Sequence, residues 1–376
     1  MGVAARVPHG RLCFLVCRAD AREHELATQR GIARRLADLL ALPYVGDVDA
    51  ARATGDVGYA VPNDTLTSFE AARLGLRSVD DLFGGVVPHP YVATKTITHP
   101  LAGTGAASPP GWCEEFGRRV QHVVLPGISA YSRRDAHEAG LGLLRHGPVR
   151  LKLACGIGGS GQSVAHDAVE LDAQLRALDE AEVARGGVVV EQHLTAVRTH
   201  SVGLLRLGDL TASYYGVQHT TRNRLGQPVY GGSTLTVTRG GFDTLEALAP
   251  DPSVRRAVVL ARCYHDAALA CFAGMYASRA NYDVAEGYDA QGREVAGVLE
   301  QSWRLGGASG AEVAALQALL DDPSLASVRA STREVYGPPA PVPEGATLYY
   351  QGDDEHVGPI TKYAQVHRDG DERREG

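Results

Sequence analysis

The sequence predicts an α/β (α+β) protein built from several lobes. Three observations predict it. The chain has 376 residues, more than one ordinary core accommodates, and an apolar fraction of 44%, which is globular. Its first 50 residues alternate strand-like and helix-like patterns. Its middle and later parts are dominated by short apolar runs separated by turn formers, with few long helical stretches.

In order along the chain, "RLCFLVC" (11–17) reads as a buried strand and "EHELATQRGIARRLADLLAL" (23–42) as an amphipathic helix. "LPYVGDV" reads as a second strand, which gives a βαβ start. "NDTLTSFEAARLGL" reads as a helix opened by an Asn/Asp cap signal. "DLFGGVVPHPYVATKTITHPL" is rich in turn formers and carries Lys95, and "GAASPPGW" (105–112) marks a boundary. There follow a strand, a helix, a strand, a glycine loop, a strand and a helix. "GGVVVEQHL" is a buried strand with a polar tip, and "SVGLLRLGDLTASYYGVQHTT" a hairpin turning at Gly208-Asp209. "QHTTRNRLGQPVYGGS" (218–233) is a polar hairpin loop that could border an acceptor site. A long helix over about 253–275, two strands joined at Gln291-Gly292, and a final helix in "GASGAEVAALQALL" complete the pattern. The expected lobes are 1–104, 112–190 and 191–335, with 336–376 as an extension ending in a polar tail.

The net charge of −7, from 37 Lys+Arg against 44 Asp+Glu, offers no broad basic surface, so nucleic acid is not an expected partner. No apolar run approaches the ~20 residues of a membrane helix, and "RLCFLVC" is too short and too soon followed by charge to be a signal sequence. The six cysteines (13, 17, 113, 155, 263, 271) have no metal-like spacing and read as thiols in a reducing compartment. A cytoplasmic protein, free or as a homo-oligomer, is expected.

"LKLACGIGGSGQSVAHD" (151–167) contains a formal G-x-G-x-x-G at Gly156, Gly158 and Gly161. A dinucleotide fingerprint would open a helix at once and place an acid about 20 residues on at a strand end. Here "QSVAH" favours a second strand, and Glu180 and Glu182 fall in a helical segment. The P-loop pattern is absent. A glycine loop between two strands can instead close over a triphosphate through its backbone N–H groups, with Lys152 supplying a fixed charge. A plain surface turn remains the competing reading.

In "GVLEQSWRLGGAS" (297–309), Glu300, Ser302 and Arg304 stand at alternate positions, so an extended chain points them to one face. Asp283, in "RANYDVAEG", lies on the preceding strand and could come beside Glu300. Two such carboxylates repel unless a cation sits between them, and magnesium suits hard oxygen ligands of this kind. Arg304 could then stabilise a transferring phosphoryl group or an oxyanion. A cross-strand salt bridge from Arg304 to Glu300 or Asp283 is the competing reading. The tip Glu191-Gln192-His193-Leu194 could offer backbone groups to an adenine edge, or be merely solvated.

The order Lys95, Lys152 with its glycine loop, "VVVEQHL", Asp283 and "LEQSWR" resembles the ATP-grasp superfamily, whose typical run is a lysine, a K-P-x-x-G-x-G-G-x-G loop, an E-x-x-L hinge and a closing D … E-x-N-x-R. The resemblance spans about 92–309. Within the superfamily the chain is most similar to a group of bacterial ATP-grasp-like proteins with no settled substrate. It implies an ATP-grasp fold in which an N-terminal α/β pre-grasp lobe precedes two lobes that clamp ATP. By resemblance, Lys95 and Lys152 contact phosphates, and Gly156, Gly158, Gly159, Ser160 and Gly161 form the lid. Glu191, Gln192, His193 and Leu194 meet the adenine. Asp283, Glu300 and Ser302 hold Mg2+, with Mn2+ as a substitute, and Arg304 and Lys152 act in catalysis. Three departures stand out. Leu153 replaces the usual proline, Ser302 stands where asparagine is usual, and no acid follows the hinge to bind the ribose, a role left to His200. The implied activity is an ATP-dependent ligase that activates a small carboxylate as an acyl phosphate and joins it to an amine, thiol or other nucleophile. A kinase acting on a hydroxyl and a non-catalytic ATP sensor are the alternatives.

Overall fold

Three parallel strands and one helix open the chain: β1 (Leu12–Val16), α1 (Glu23–Leu39), β2 (Tyr44–Asp49) and β3 (Tyr59–Pro62), with strand order β2-β1-β3. This is a computed structural model describing residues 10–18, 21–154 and 161–367. α1 buries Ile32, Ala33, Leu36 and Ala37, one stripe at helical spacing. β4 (Leu66–Thr67) runs directly into α2 (Ser68–Arg73). The cap of α2 is Thr67, in a reciprocal capping box with Glu70, and not the expected Asn63 or Asp64. Asn63 instead accepts the N–H groups of Cys17 (2.7 Å) and Arg18 (3.0 Å) and so holds the loop after β1. After β5 (Gly85–Val87) come two 3-10 turns, Pro90–Ala93 and Lys95–Thr98.

The middle of the chain supplies α3 (Glu114–Val120), β6 (Gly127–Ala130), α4 (Arg133–Leu144), β7 (Val149–Leu153), β8 (Gln162–Ala165), α5 (Ala168–Ala177), α6 (Glu180–Gly186) and β9 (Val188–Gln192). Its sheet has order β6-β9-β7-β8 and is antiparallel throughout. The glycine-rich segment therefore joins two antiparallel strands. The next helix starts only at Ala168, capped by Asp167, so the arrangement a dinucleotide fingerprint requires is absent.

The rest forms β10 (Thr195–Leu207), β11 (Leu210–Arg222), β12 (Pro228–Arg239), α7 (Phe242–Ala247), α8 (Pro252–Cys271), β13 (Tyr276–Ala277), β14 (Arg279–Tyr288), β15 (Glu294–Ser302), α9 (Ser309–Asp321), β16 (Ser327–Tyr336), β17 (Thr347–Asp354) and β18 (Gly358–His367). Eight of these strands make one sheet, β15-β14-β10-β11-β12-β16-β18-β17. Its hairpins turn where expected, with positive φ at Gly208 (56°) and Gly292 (73°). No helix among the described residues is long and apolar enough to cross a membrane.

Two expected boundaries fall inside continuous structure. The division at 190/191 cuts β9, one of the two inner strands of the middle sheet. The segment after 336 is no loose extension over its described part, because β17 and β18 continue the large sheet beyond β16. The polar residues 368–376 lie outside the described residues. β17 and β18 also reach back to the start of the chain. Lys362 on β18 donates to His24 Nδ1 on α1 (3.1 Å), and the His24 N–H reaches Asp354 on β17 (3.4 Å). One apolar core runs from Leu12, Phe14 and Leu36 through Leu316 and Leu319 of α9 to Leu205, Leu235 and Ala330 of the large sheet. The opening βαβ unit is therefore welded to the large sheet through α9.

Candidate functional site

The segment 92–99 is the hub of the site, because it touches both the middle sheet and the large one. Its backbone is pinned from both sides. Gln301 Nε2 on β15 donates to the carbonyls of Val92 (3.1 Å) and Thr94 (2.7 Å), and Ser129 Oγ on β6 donates to that of Thr96 (2.5 Å). So fixed, the segment sends one side chain to each sheet. Lys95 Nζ lies 2.6 Å from Glu300 Oε2, and His99 Nε2 lies 3.1 Å from Glu191 Oε2.

Glu191 has a second partner, Lys152 Nζ at 2.5 Å. All three groups are buried, with Glu191 only 1% exposed. Burial alone would raise the carboxyl pKa, but Lys152 and His99 outweigh it and hold Glu191 near about 2. His99 packs against Gly127 so closely that a Cβ there would stand 2.7 Å from its ring. The Lys152 side chain, read as a fixed charge for a triphosphate, is enclosed and paired. Glu191 turns inward, away from any solvated tip. The N–H of Gln192 is taken by the Pro126 carbonyl (2.8 Å) and that of His193 by the Pro148 carbonyl (3.0 Å). Those two amides are engaged within the protein, which leaves the hinge fewer backbone groups for a base than expected. His193 Nδ1 meets Arg150 (3.1 Å), and burial together with Arg150 lowers the His193 pKa. Leu194 is buried beside Leu125 and Ala285. Gln192 lines a groove of about 550 Å³ with Pro126, Leu143, His146 and residues 289 and 293–295.

On the large sheet, Asp283 of β14 stands directly opposite Glu300 of β15, and Asn281 directly opposite Ser302. All four side chains share one face, since opposed residues and residues two apart do so. A register shift follows Asp283, where the bulge re-aims the pair. Burial, then the Glu300 charge, raises the Asp283 pKa to about 6. Ser201 Oγ also reaches Asp283 (3.4 Å). Two opposed carboxylates, one of them pushed toward its neutral form by the other, are a donor set that suits a hard divalent cation. The competing reading, a salt bridge from Arg304 to Glu300 or Asp283, is not what forms. Glu300 pairs with Lys95, and Arg304 points to Asp64 of the opening lobe at 3.9 Å while Nη1 donates to its own neighbour's carbonyl, Leu305 (2.9 Å).

On the same face, beside these residues, lies a network that sequence reasoning missed. Arg279, 1% exposed, donates through Nε (3.1 Å) and Nη2 (2.7 Å) to both oxygens of Glu312 on α9, itself wholly buried. Arg279 Nη1 reaches the Ser302 carbonyl (3.1 Å) and Oγ (3.2 Å) and the Arg304 carbonyl. Ser302 is thus tied to Arg279 more firmly than a free metal ligand would be. Tyr214 Oη lies 2.7 Å from Glu312 Oε1 and 2.8 Å from the Asn281 amide, whose other end is 3.0 Å from Asp283 Oδ1. Gly203 makes room for this, because a Cβ there would meet the Tyr214 ring at 2.2 Å. The only sequence hint was the apolar face of α9 carrying Glu312 in its first turn.

The resemblance leaves the ribose role to His200. It is buried, with Nε2 3.2 Å from Glu286 and 3.1 Å from Ser253 Oγ. Gly156, Gly158, Gly159 and Ser160 lie outside the described residues. Gly161, at φ 68°, leads into β8.

A family model described as "Protein of unknown function (DUF3182)" matches residues 14–364. No curated protein matches the sequence. Among solved structures, the chain is similar to a phosphoribosylamine–glycine ligase from Thermotoga maritima at 12% identity, covering 95% of this chain and 92% of that one, TM-score 0.49. It is also similar to an N5-carboxyaminoimidazole ribonucleotide synthetase in its ADP complex (12% identity, 97% and 94% covered, TM-score 0.47) and to a D-alanine–D-alanine ligase from Bacillus anthracis (12%, 80% and 88%, TM-score 0.45). Likenesses of this degree decide neither activity nor substrate.

Proposed function

We propose, for a chain that belongs to the DUF3182 family of proteins of unknown function, that it is an ATP- and Mg2+-dependent ligase which activates a small-molecule carboxylate and joins it to an amine or another nucleophile. The observation that carries this reading is the hub at 92–99. One short segment presents Lys95 to the carboxylate pair and His99 to the Lys152–Glu191 pair. Two lysines and two opposed carboxylates are thereby drawn from three separate parts of the chain into one region, in the order the ATP-grasp resemblance implies.

In this reading Asp283 and Glu300 hold the divalent cation, which would neutralise phosphate charge and draw electrons from the phosphorus. Lys95 moves from Glu300 to a phosphate when nucleotide enters, exchanging one anionic partner for another. Lys152 is held by Glu191 with its charge fixed near the strand that feeds the glycine segment. Gly156, Gly158, Gly159, Ser160 and Gly161 cover the phosphates through their N–H groups. Gln192, His193 and Leu194 border the base, and His200 with Glu286 stands where the ribose would be held. Arg304, whose Asp64 partner is 3.9 Å away, turns to the activated carboxyl or the incoming nucleophile. Such chemistry is mostly positioning and charge stabilisation, so no side-chain nucleophile is required.

The test is ADP release against panels of small carboxylates and amines. Release that needs both partners supports the ligase. Release with a hydroxyl compound alone replaces it by a kinase. ATP binding without release under any pairing replaces it by a sensor.

A further inference from the structure

The Asn281 amide sits within a chain of contacts that is short of one hydrogen. Glu312, Tyr214, Asn281 and Asp283 follow one another at 2.7, 2.8 and 3.0 Å. Each of the three contacts needs a hydrogen between its heavy atoms. The Tyr214 hydroxyl has one to give, and the amide NH2 can face only one of its two neighbours. With Glu312 and Asp283 both ionised, two contacts can be satisfied and one cannot.

Where the deficit falls follows from burial and charge. Glu312 receives two N–H groups from Arg279 and is a carboxylate, the stronger acceptor, so the Tyr214 proton goes to it. Tyr214 oxygen then needs a donor, and the Asn281 NH2 turns to it. Nitrogen and oxygen of an amide have the same shape, and the network assigns them. The Asn281 carbonyl oxygen is left facing Asp283, an acceptor against an acceptor. The Glu312 and Tyr214 side chains are wholly buried, with no room for another atom between them, whereas Asp283 and Glu300 are partly open. The missing positive centre is therefore placed beside Asp283.

Resting on the reading of Asp283 and Glu300 as a cation site, we propose that Asn281 supplies a third, neutral oxygen ligand there. It stands directly opposite Ser302 in the ladder. Ser302, at the position where the ATP-grasp pattern carries asparagine, has its hydroxyl engaged by Arg279 (3.2 Å). The amide oxygen has crossed from one strand to the next while the face stays the same.

Free Mn2+ measured by electron paramagnetic resonance, in the presence of the non-hydrolysable analogue AMP-PNP, tests this without turnover. Asn281→Leu, which keeps the shape and removes the oxygen, should weaken Mn2+ by about tenfold or more. Asn281→Asp should bind within about threefold of wild type or better, and Ser302→Ala within about threefold. Should Asn281→Leu not fold, Asn281→Ser carries the test with the same sign. Unchanged Mn2+ affinity in the Asn281 variants, or a larger loss from Ser302→Ala, overturns the assignment while leaving the ligase reading intact. A wild-type protein that binds no Mn2+ with AMP-PNP overturns both together.

Discussion

Lys95 Nζ lies 2.6 Å from Glu300 Oε2, and the two residues come from segments 205 positions apart. A lysine held by a carboxylate that is itself opposed to Asp283 is poised between two anionic partners. Glu300→Gln keeps the shape and removes the charge. It should leave the fold standing, with a melting temperature within about 3 °C of wild type, because Glu300 is one-third exposed. Mn2+–nucleotide affinity should fall by about tenfold or more. Asp283→Asn should behave alike, and the double variant should be little worse than either, since the pair acts as one unit. Calorimetric titration and thermal melts on the same proteins check this. A large melting loss with binding intact would reduce the pair to a structural salt bridge.

The Lys152–Glu191 pair should behave differently, because it is enclosed. Lys152→Ala leaves a buried carboxylate with only His99, at a cost of ~3–5 kcal/mol. Lys152→Met with Glu191→Leu removes both charges and should recover most of that loss without recovering nucleotide binding. Urea unfolding of the single and double variants distinguishes this from a surface role, which predicts no loss for either.

Acid should expose the same pair. The folded-state pKa of Glu191 is depressed to about 2. Its stabilising contribution is therefore complete above the unfolded value of ~4.3 and is lost as pH falls toward about 2. Melting curves between pH 6 and pH 2.5 should show a drop that Glu191→Gln lacks.

Asp283 carries the opposite sign. Its folded-state pKa is raised to about 6, so without metal it favours folding below ~3.9 and loses that contribution as pH rises through about 6. Metal-free Asp283→Asn should melt higher than wild type at pH 7.5 and no higher at pH 4. Adding Mg2+ with AMP-PNP at a fixed concentration should raise the wild type at pH 7.5 more than the variant.

Gly203→Ala is a sharp steric test, since its Cβ would stand 2.2 Å from the Tyr214 ring across the ladder. The ring must move, and the Asn281 amide loses its support. Mn2+ affinity should drop several-fold with the secondary structure unchanged by circular dichroism, because the amide that the ring supports is displaced. Full affinity in Gly203→Ala would mean the ring does not hold the amide.

What was legible in the sequence was local or periodic. Alternation placed Glu300 and Ser302 on one face, and Gly208-Asp209 and Gln291-Gly292 marked their hairpins. "QSVAH" declared a strand after the glycines. What was hidden depends on contacts that no spacing encodes. Glu312 meets Arg279 only when α9 lies across the sheet, and Arg304 finds Asp64 only when the opening lobe docks. His99, four residues past Lys95, carried no signal until Gly127 and Glu191 were brought beside it. The C-terminal strands were obscured by Pro and Gly between 337 and 345, which read as the start of an extension and proved to be the crossing to one more hairpin.

The bond from Lys362 to His24 has a consequence in time. Its partners are 338 residues apart, and the neighbouring reach from His24 to Asp354 spans 330. A ribosome adding roughly 5–20 residues per second leaves α1 waiting about 15–70 s for β17 and β18 to emerge. Through that interval one flank of the first helix stays bare in the nascent chain. The hairpin of β17 and β18 is thus the one that closes the first lobe, and its synthesis, more than any local folding step, sets when that flank is covered.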